Sequence, residues 1–206
     1  MAVVYETKDN SAVFAGTTIT TIGATIAGSN RAAIVTLIVS NNAITDITCS
    51  LGGVNGTLIS GTDSTTTNAT RTMAFSVIAP PLGVQAATCS WTGSSDGFIG
   101  MIQVTGADQA TPLNGGTFNI VSASTTSAVT ITSVNGDLTT SAVRGNTSTT
   151  TDQTEKWQQY VTARGDVGPG TGTTTHTWTD TSGLIAVVGA NFVSASTSGV
   201  RIGVGT

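Results

Sequence analysis

The chain has 206 residues, of which 9% are charged, with seven Lys+Arg against eleven Asp+Glu and a formal net charge of −4. Ordinary globular domains carry roughly 25% charge, so this surface must take its polarity from hydroxyls: Ser and Thr make up about 30% of the residues, a β-leaning composition. The cations Lys8, Arg31, Arg71, Arg144, Lys156, Arg164 and Arg201 stand singly, which excludes the clustered basic surface that nucleic acid needs. No apolar run approaches the roughly 20 residues of a membrane helix.

Read in chain order, the pattern is period two nearly throughout. The start, Met1-Ala2-Val3-Val4-Tyr5-Glu6, lacks a basic region followed by an apolar core, so a signal peptide is not expected and synthesis in a cytoplasm is. Val3, Val4 and Tyr5 open an apolar-polar-apolar stretch that closes with Val13 and Phe14. Residues 1–18 therefore read as an N-terminal arm or an edge strand, and Val3, Val4, Tyr5 and Phe14 as candidate interface residues. Ala32 to Val39 and Leu184 to Ala190 are apolar on both faces, as central strands covered twice must be. Met73, Phe75 and Val77 alternate with polar or small residues and predict a half-buried strand. Val129 and Ile131 do the same.

Turn signals recur at Asn55-Gly56, Asp96-Gly97, Asn114-Gly115-Gly116 and Asn135-Gly136-Asp137. They separate expected strands at 83–91 and 98–105, among many others. A further strand is expected at 157–164, and another at 199–204. Polar loops are expected at 61–68, 145–151 and 165–172, the last on Gly168-Pro169-Gly170. Asp152 to Tyr160 is the one helix candidate, with a strand as its equal alternative. The whole reads as one all-β domain over 1–206, an antiparallel jelly-roll-like β-sandwich with almost no helix. Met73, Phe75, Val77, Val35, Leu37, Val187, Phe98, Ile102 and Val104 are its expected core.

Catalytic patterns are thin. Gly93-Ser94-Ser95-Asp96-Gly97 fits Gly-x-Ser-x-Gly, but that elbow needs a helix after the serine, and an apolar strand follows here. The reading is a hairpin loop. His176 is the sole imidazole. On a strand His176, Trp178 and Asp180 share one face, a row that suits either a sugar-binding strip or a surface stripe. With a single His, no metal site is expected, and no cofactor. Cys49 and Cys89 read as two small buried apolar residues, with a cross-strand bridge as the alternative.

The order of several segments resembles a family of β-sandwich proteins found among tailed-phage virion accessory proteins. The segments are a strand ending in Gly52-Gly53, and Ile78-Ala79-Pro80-Pro81-Leu82-Gly83. Thr88-Cys89-Ser90-Trp91 follows, then Val104-Thr105-Gly106-Ala107-Asp108-Gln109-Ala110-Thr111-Pro112, and Trp178 before Leu184 to Ala190. In the penultimate segment Asp108 is expected to cap a turn and Pro112 to set its exit. The resemblance implies a non-enzymatic decoration or cement protein on the outer surface of a phage head. It implies the major capsid protein as a partner. Copies of this chain are expected as partners too, in a three-fold arrangement, with the 1–18 stretch and the loop tips at 61–68 and 145–151 near their contacts. A tail or receptor-binding component and a carbohydrate-binding module are the alternatives.

Overall fold

The computed structural model describes residues 1–11, 14–41, 43–65, 70–121, 124–145, 149–159, 163–181 and 185–195. These form nineteen strands, and every pairing is antiparallel. The first eleven are β1 (Val4–Asn10), β2 (Phe14–Thr20), β3 (Ala24–Ile26), β4 (Ala32–Val39), β5 (Thr45–Leu51), β6 (Val54–Asn55), β7 (Thr57–Leu58), β8 (Ser64–Thr65), β9 (Arg71–Ile78), β10 (Gly83–Gln85) and β11 (Ala87–Thr105). The rest are β12 (Leu113–Val121), β13 (Thr126–Thr132), β14 (Leu138–Arg144), β15 (Thr149–Thr151), β16 (Thr154–Gln159), β17 (Ala163–Pro169), β18 (Thr173–Asp180) and β19 (Ile185–Phe192). The chain is all-β, as expected, and among the described residues no helix forms.

The strands stack in four layers rather than the two of a simple sandwich. The first two layers are one nine-stranded sheet folded over at β11: β2, β5 and the first part of β11 form the first, and β4, β9, β1 and the second part of β11 form the second, with the separate β3–β10 ribbon packed on the core between them. The third is the sheet β12-β19-β14-β17-β16, and the fourth is β13-β18-β15. Three apolar cores fill the gaps. Val35, Leu37, Met73, Phe75, Ile99 and Trp91 lie between layers one and two. Ile34, Ile38, Ile102, Trp157, Val188 and Phe192 lie between two and three. Val129, Ile131, Val143, Trp178 and Val187 lie between three and four.

The layering follows from the two doubly apolar runs. Every residue of β4 and of β19 is buried. Each strand therefore needs a partner sheet on both faces, because an exposed Val or Ile face forfeits roughly 25 cal/mol per Å². β9 is covered twice as well: Ala74 faces the second core while Met73 and Phe75 face the first, so the expected half-buried strand is buried on both sides. β13 keeps the one-sided alternation its sequence predicts. All the expected core residues are buried except Phe98, which is half-buried under the Arg144 guanidinium, 5.6 Å from its ring centroid.

Three boundaries differ from the sequence reading. The strands expected at 83–91 and 98–105 are largely one 19-residue strand, β11, and no hairpin forms at 93–97. A bulge between Ser90 and Ser95, with Gly93 at φ 98°, bends β11 from the first layer into the second. The 152–160 segment takes its strand alternative, β16, with Trp157 pointing into the second core. The strand expected at 157–164 is instead the close of β16 and the start of β17, paired from Gln159 to Ala163. β17 then consumes most of the loop expected at 165–172, and Pro169 stands at its last position, where the strand's ladder ends. The strand expected at 199–204 lies outside the described residues.

Cys49 and Cys89 are bonded, so the reading as two free apolar residues is overturned. They sit directly opposite one another on β5 and β11, and both are buried. The first-layer ladder brings the two sulfurs together, a register that neither cysteine's sequence context reveals.

Trp157 locks layer two to layer three. Its indole lies between Gly100 of β11 and Gly165 of β17: a methyl group added at either glycine would come within 2.1 Å of the ring. Gly100→Ala should therefore destabilise the protein by ~3 kcal/mol through overpacking. Urea unfolding followed by tryptophan fluorescence measures it, and an unchanged midpoint would contradict this slot.

Candidate functional site

The expected N-terminal arm belongs to this chain's own sheet. β1 pairs with β11 from Val4↔Thr105 to Asn10↔Gly100, and β2 pairs with β11 as well. Val3 is buried, and its N–H donates to the Gly136 carbonyl at 2.7 Å. Tyr5 is half-buried beneath the Lys156 ammonium, 4.2 Å from the ring centroid, and burial pushes its phenol above the usual value. Neither Val3 nor Tyr5 is offered to a neighbour. Val4 is 53% exposed. The Phe14 backbone pairs with Gly97, and its side chain lies outside the described residues.

The row His176, Trp178 and Asp180 does share one face of β18, but that face points inward, and all three are fully buried. No glycan reaches them, which removes the sugar-binding strip. The row faces layer three because its polar atoms find partners there. Asp166 of β17, also fully buried, is the hub. One of its oxygens, Oδ1, accepts from Ser141 Oγ at 2.7 Å and from the Ser141 N–H at 3.1 Å. His176 Nδ1 lies 2.8 Å from the same oxygen, and Thr151 Oγ1 donates to Oδ2. His176 Nε2 lies 2.9 Å from Thr139 Oγ1, and Trp178 Nε1 donates to Ser141 Oγ at 2.8 Å. Arg144 approaches from the rim: burial lowers its guanidinium, and the Asp180 carboxylate opposes that shift.

Thr139, His176 and Asp166 have the connectivity of a hydroxyl, imidazole and carboxylate triad. The setting gives it no chemistry. All three are fully buried, and the Thr139 hydroxyl also bonds the Gly168 carbonyl at 3.0 Å. A nucleophile needs a free approach to a substrate carbon, and here the approach is packed protein. Ser95 is no substitute. It sits in the bend of β11 near the first layer with its hydroxyl on the Asp96 carbonyl, whereas His176 is in the fourth layer. The network instead stitches layer three to layer four. Asp166, Thr139, Ser141 and Thr151 were not singled out by sequence reasoning. The one available signal was an Asp in a charge-poor chain two residues past Arg164, and it lay in an expected loop.

A second carboxylate closes the turn after β13. Asp137 accepts from Asn191 Nδ2 at 3.0 Å, the Ser194 N–H at 2.8 Å and the Val134 N–H at 3.0 Å. Burial alone would raise this carboxyl, but the three donors outweigh it and hold it below the usual carboxylate value. Asp108 caps the turn it was expected to cap, accepting from the N–H groups of Ala110 and Thr111.

Three strongly exposed apolar side chains lie along the small β3–β10 ribbon: Ile22 is 90% exposed, Leu82 60% and Val84 73%. Val84 pairs with Thr25 within the ribbon, and a methyl group at Gly23 would lie 3.2 Å from its side chain. Ile22 precedes β3 and Leu82 precedes β10, so these two flank the ribbon at its two ends. Ile78, 39% exposed, leads into the same segment. Among the described residues no group of three or more His, Cys, Asp or Glu converges as a metal site would require.

No family model matches this sequence, and no curated protein matches it. Among solved structures, the crystal structure of the infectious bursal disease virus VP2 subviral particle is similar at 12% identity with a TM-score of 0.30. The match covers 94% of this chain and 41% of that one, so the chain spans less than half the length of that protein. At that score the likeness carries no argument about this chain.

Two outcomes test the buried carboxylates. His176→Ala should cost about 3–5 kcal/mol, since it opens a cavity and takes one donor from a buried carboxylate, while Ser95→Ala should stay within about 1 kcal/mol. Denaturant midpoints decide both. Asp137 has a lowered folded value, so its stabilisation is complete above about pH 4 and is lost as pH falls through that lower value. Asp137→Asn should remove this part of the acid slope, read by thermal unfolding across the acidic range.

Proposed function

We propose that this chain is a non-enzymatic structural protein of a virion, seated on the outer surface of a phage head. Its partners in this reading are the major capsid protein and copies of itself. The observation that carries the proposal is the row of exposed apolar side chains Ile22, Val84 and Leu82 along the β3–β10 ribbon. Three large apolar side chains on and beside one short ribbon are costly in water and form the kind of surface that a protein partner buries.

Two further observations support it. The sole imidazole and its carboxylate partner are consumed inside the fold, so the reading needs no catalytic role for them. The surface is rich in Thr and Ser and poor in charge. Short side chains lose little entropy when packed against neighbours, and few charges bring little self-repulsion in a dense lattice. The segment order described above supplies the head-decoration setting.

The test is co-sedimentation of the purified protein with expanded capsids that lack it. The expected result is saturable binding that Ile22→Asp combined with Val84→Asp weakens by at least about tenfold, with the unfolding midpoint unchanged. Unweakened binding by the variant would remove the β3–β10 ribbon from the proposal. Absence of binding by the parent protein, with binding to tails instead, would overturn the head reading.

A further inference from the structure

The first layer has an open seam. After the Gly52-Gly53 turn, β6 pairs with Ser50 and Leu51 of β5, and Gly56 donates to the Cys49 carbonyl. The chain then crosses over, and β7 and β8 pair with β9 instead. From Thr45 to Thr48, that edge of β5 has no strand partner among the described residues. Beside it lies a cleft of about 270 Å³, lined by Ile44, Ile47, Leu58, Met73 and Phe75, with Asp46 and Arg71 at its mouth. Leu58 is 42% exposed there. Arg71 is already held by Asp63 through a two-pronged ion pair. Among the described residues, Asp46 meets only the neighbouring Thr45 hydroxyl.

An apolar groove beside a bare strand edge is the template for strand addition. The occupant must be extended, must alternate apolar and other residues, and should bring a cation to Asp46. Residues 196–206, outside the described residues, read Ser196-Thr197-Ser198-Gly199-Val200-Arg201-Ile202-Gly203-Val204-Gly205-Thr206. Val200, Ile202 and Val204 fall on one face of a strand, and Arg201 stands between the first two.

We propose that residues 199–204 of one copy add as a strand to the Thr45–Thr48 edge of another. Val200, Ile202 and Val204 then face the cleft, and Arg201 meets Asp46. This deepens the self-association in the reading above by naming the surfaces that make it.

Reach favours a second copy over the chain's own tail. Ala195 is held beside Gly106, at the Ala32 end of β4. The cleft lies beside Met73 and Arg71, which pair with Leu37 and Val39 at the other end. The offset is roughly 20 Å along the strand, plus two or three strand spacings of about 4.8 Å. The five residues from Ala195 to Val200 span at most about 17 Å at full extension, short of that offset, so Val200 does not reach the cleft of its own chain.

The test uses the full-length chain without capsids. Sedimentation velocity of the parent should show concentration-dependent self-association. Ile202→Asp should weaken it by at least about tenfold, and so should Asp46→Arg. Combining Asp46→Arg with Arg201→Asp should restore it, which a folding defect would not. A pair of cysteines, Asp46→Cys with Arg201→Cys, should cross-link two chains under mild oxidation. A monomeric parent overturns the proposal, as does association indifferent to Ile202→Asp, or a cross-link formed within one chain. Capsid binding is not read here, so failure of the head reading and failure of this exchange are separable results.

Discussion

The structure depends on two strands that cannot face water on either side. β4 and β19 are buried at every position. Covering both faces of both strands requires four layers, and the two strands must lie in the inner pair. The gap between the inner layers is then the most constrained place in the molecule. It holds the largest side chain of the second core, Trp157, in a slot formed by two residues without side chains, Gly100 and Gly165. Close packing of this kind tolerates little change in volume. Everything outward of it, including the bend in β11 and the N-terminal strand, follows the position of that central pair.

With so few charges, polar satisfaction inside the stack falls to hydroxyls. Ser141 and Thr151 supply donors to the third-layer carboxylate, and the Thr139 hydroxyl pairs with the His176 ring, where a more ordinary sequence would use Arg or Lys. Small donors suit a narrow inter-sheet gap, since they reach a carboxylate without a long stem to order. The same economy explains how a triad-like geometry arises deep between packed layers. Ser, Thr, His and Asp are the few groups available to fill a dry polar gap, and a carboxylate that collects donors there orients an imidazole as a by-product. Burial, rather than connectivity, separates such a bracket from an active site.

Much of the fold was legible in the chain. The doubly apolar runs marked the inner strands, the alternation of Val129 and Ile131 marked an outer one, and Asp108 marked its turn. The failures share a cause: local signals that tertiary pairing overrode. Asp96-Gly97 resembles a hairpin turn, yet β4 and β2 flank it and hold the chain extended through the bulge. Gly168-Pro169 resembles a break, yet Leu138 and Thr139 continue the ladder opposite it. The period placed His176, Trp178 and Asp180 on one face, and the inference that this face was outside failed. Polar residues were counted as solvent-facing when their partners, Asp166 and Ser141, sat on strands with no sequence proximity. Phe98 was counted as core when it shields a guanidinium at the rim.

The disulfide joins these themes. Cys49 and Cys89 are bonded and shielded from solvent. The bond crosses strands that are already paired. Thr88↔Ser50 and Ser90↔Thr48 flank Cys89↔Cys49 in the ladder, so the register exists with or without sulfur bonding. As thiols the pair would still be two small apolar groups in the first core. Oxidation then acts chiefly on the unfolded chain, closing a loop across a separation of 40 residues and adding about 4 kcal/mol by loop entropy. The effect is concentrated where the structure is thinnest. The bond fastens β5, whose opposite edge has no strand partner at Thr45–Thr48 among the described residues, to β11, which runs on into the central pair. A strand that is to receive a neighbour must not peel away when it does so, and a covalent tie on its paired edge meets that requirement.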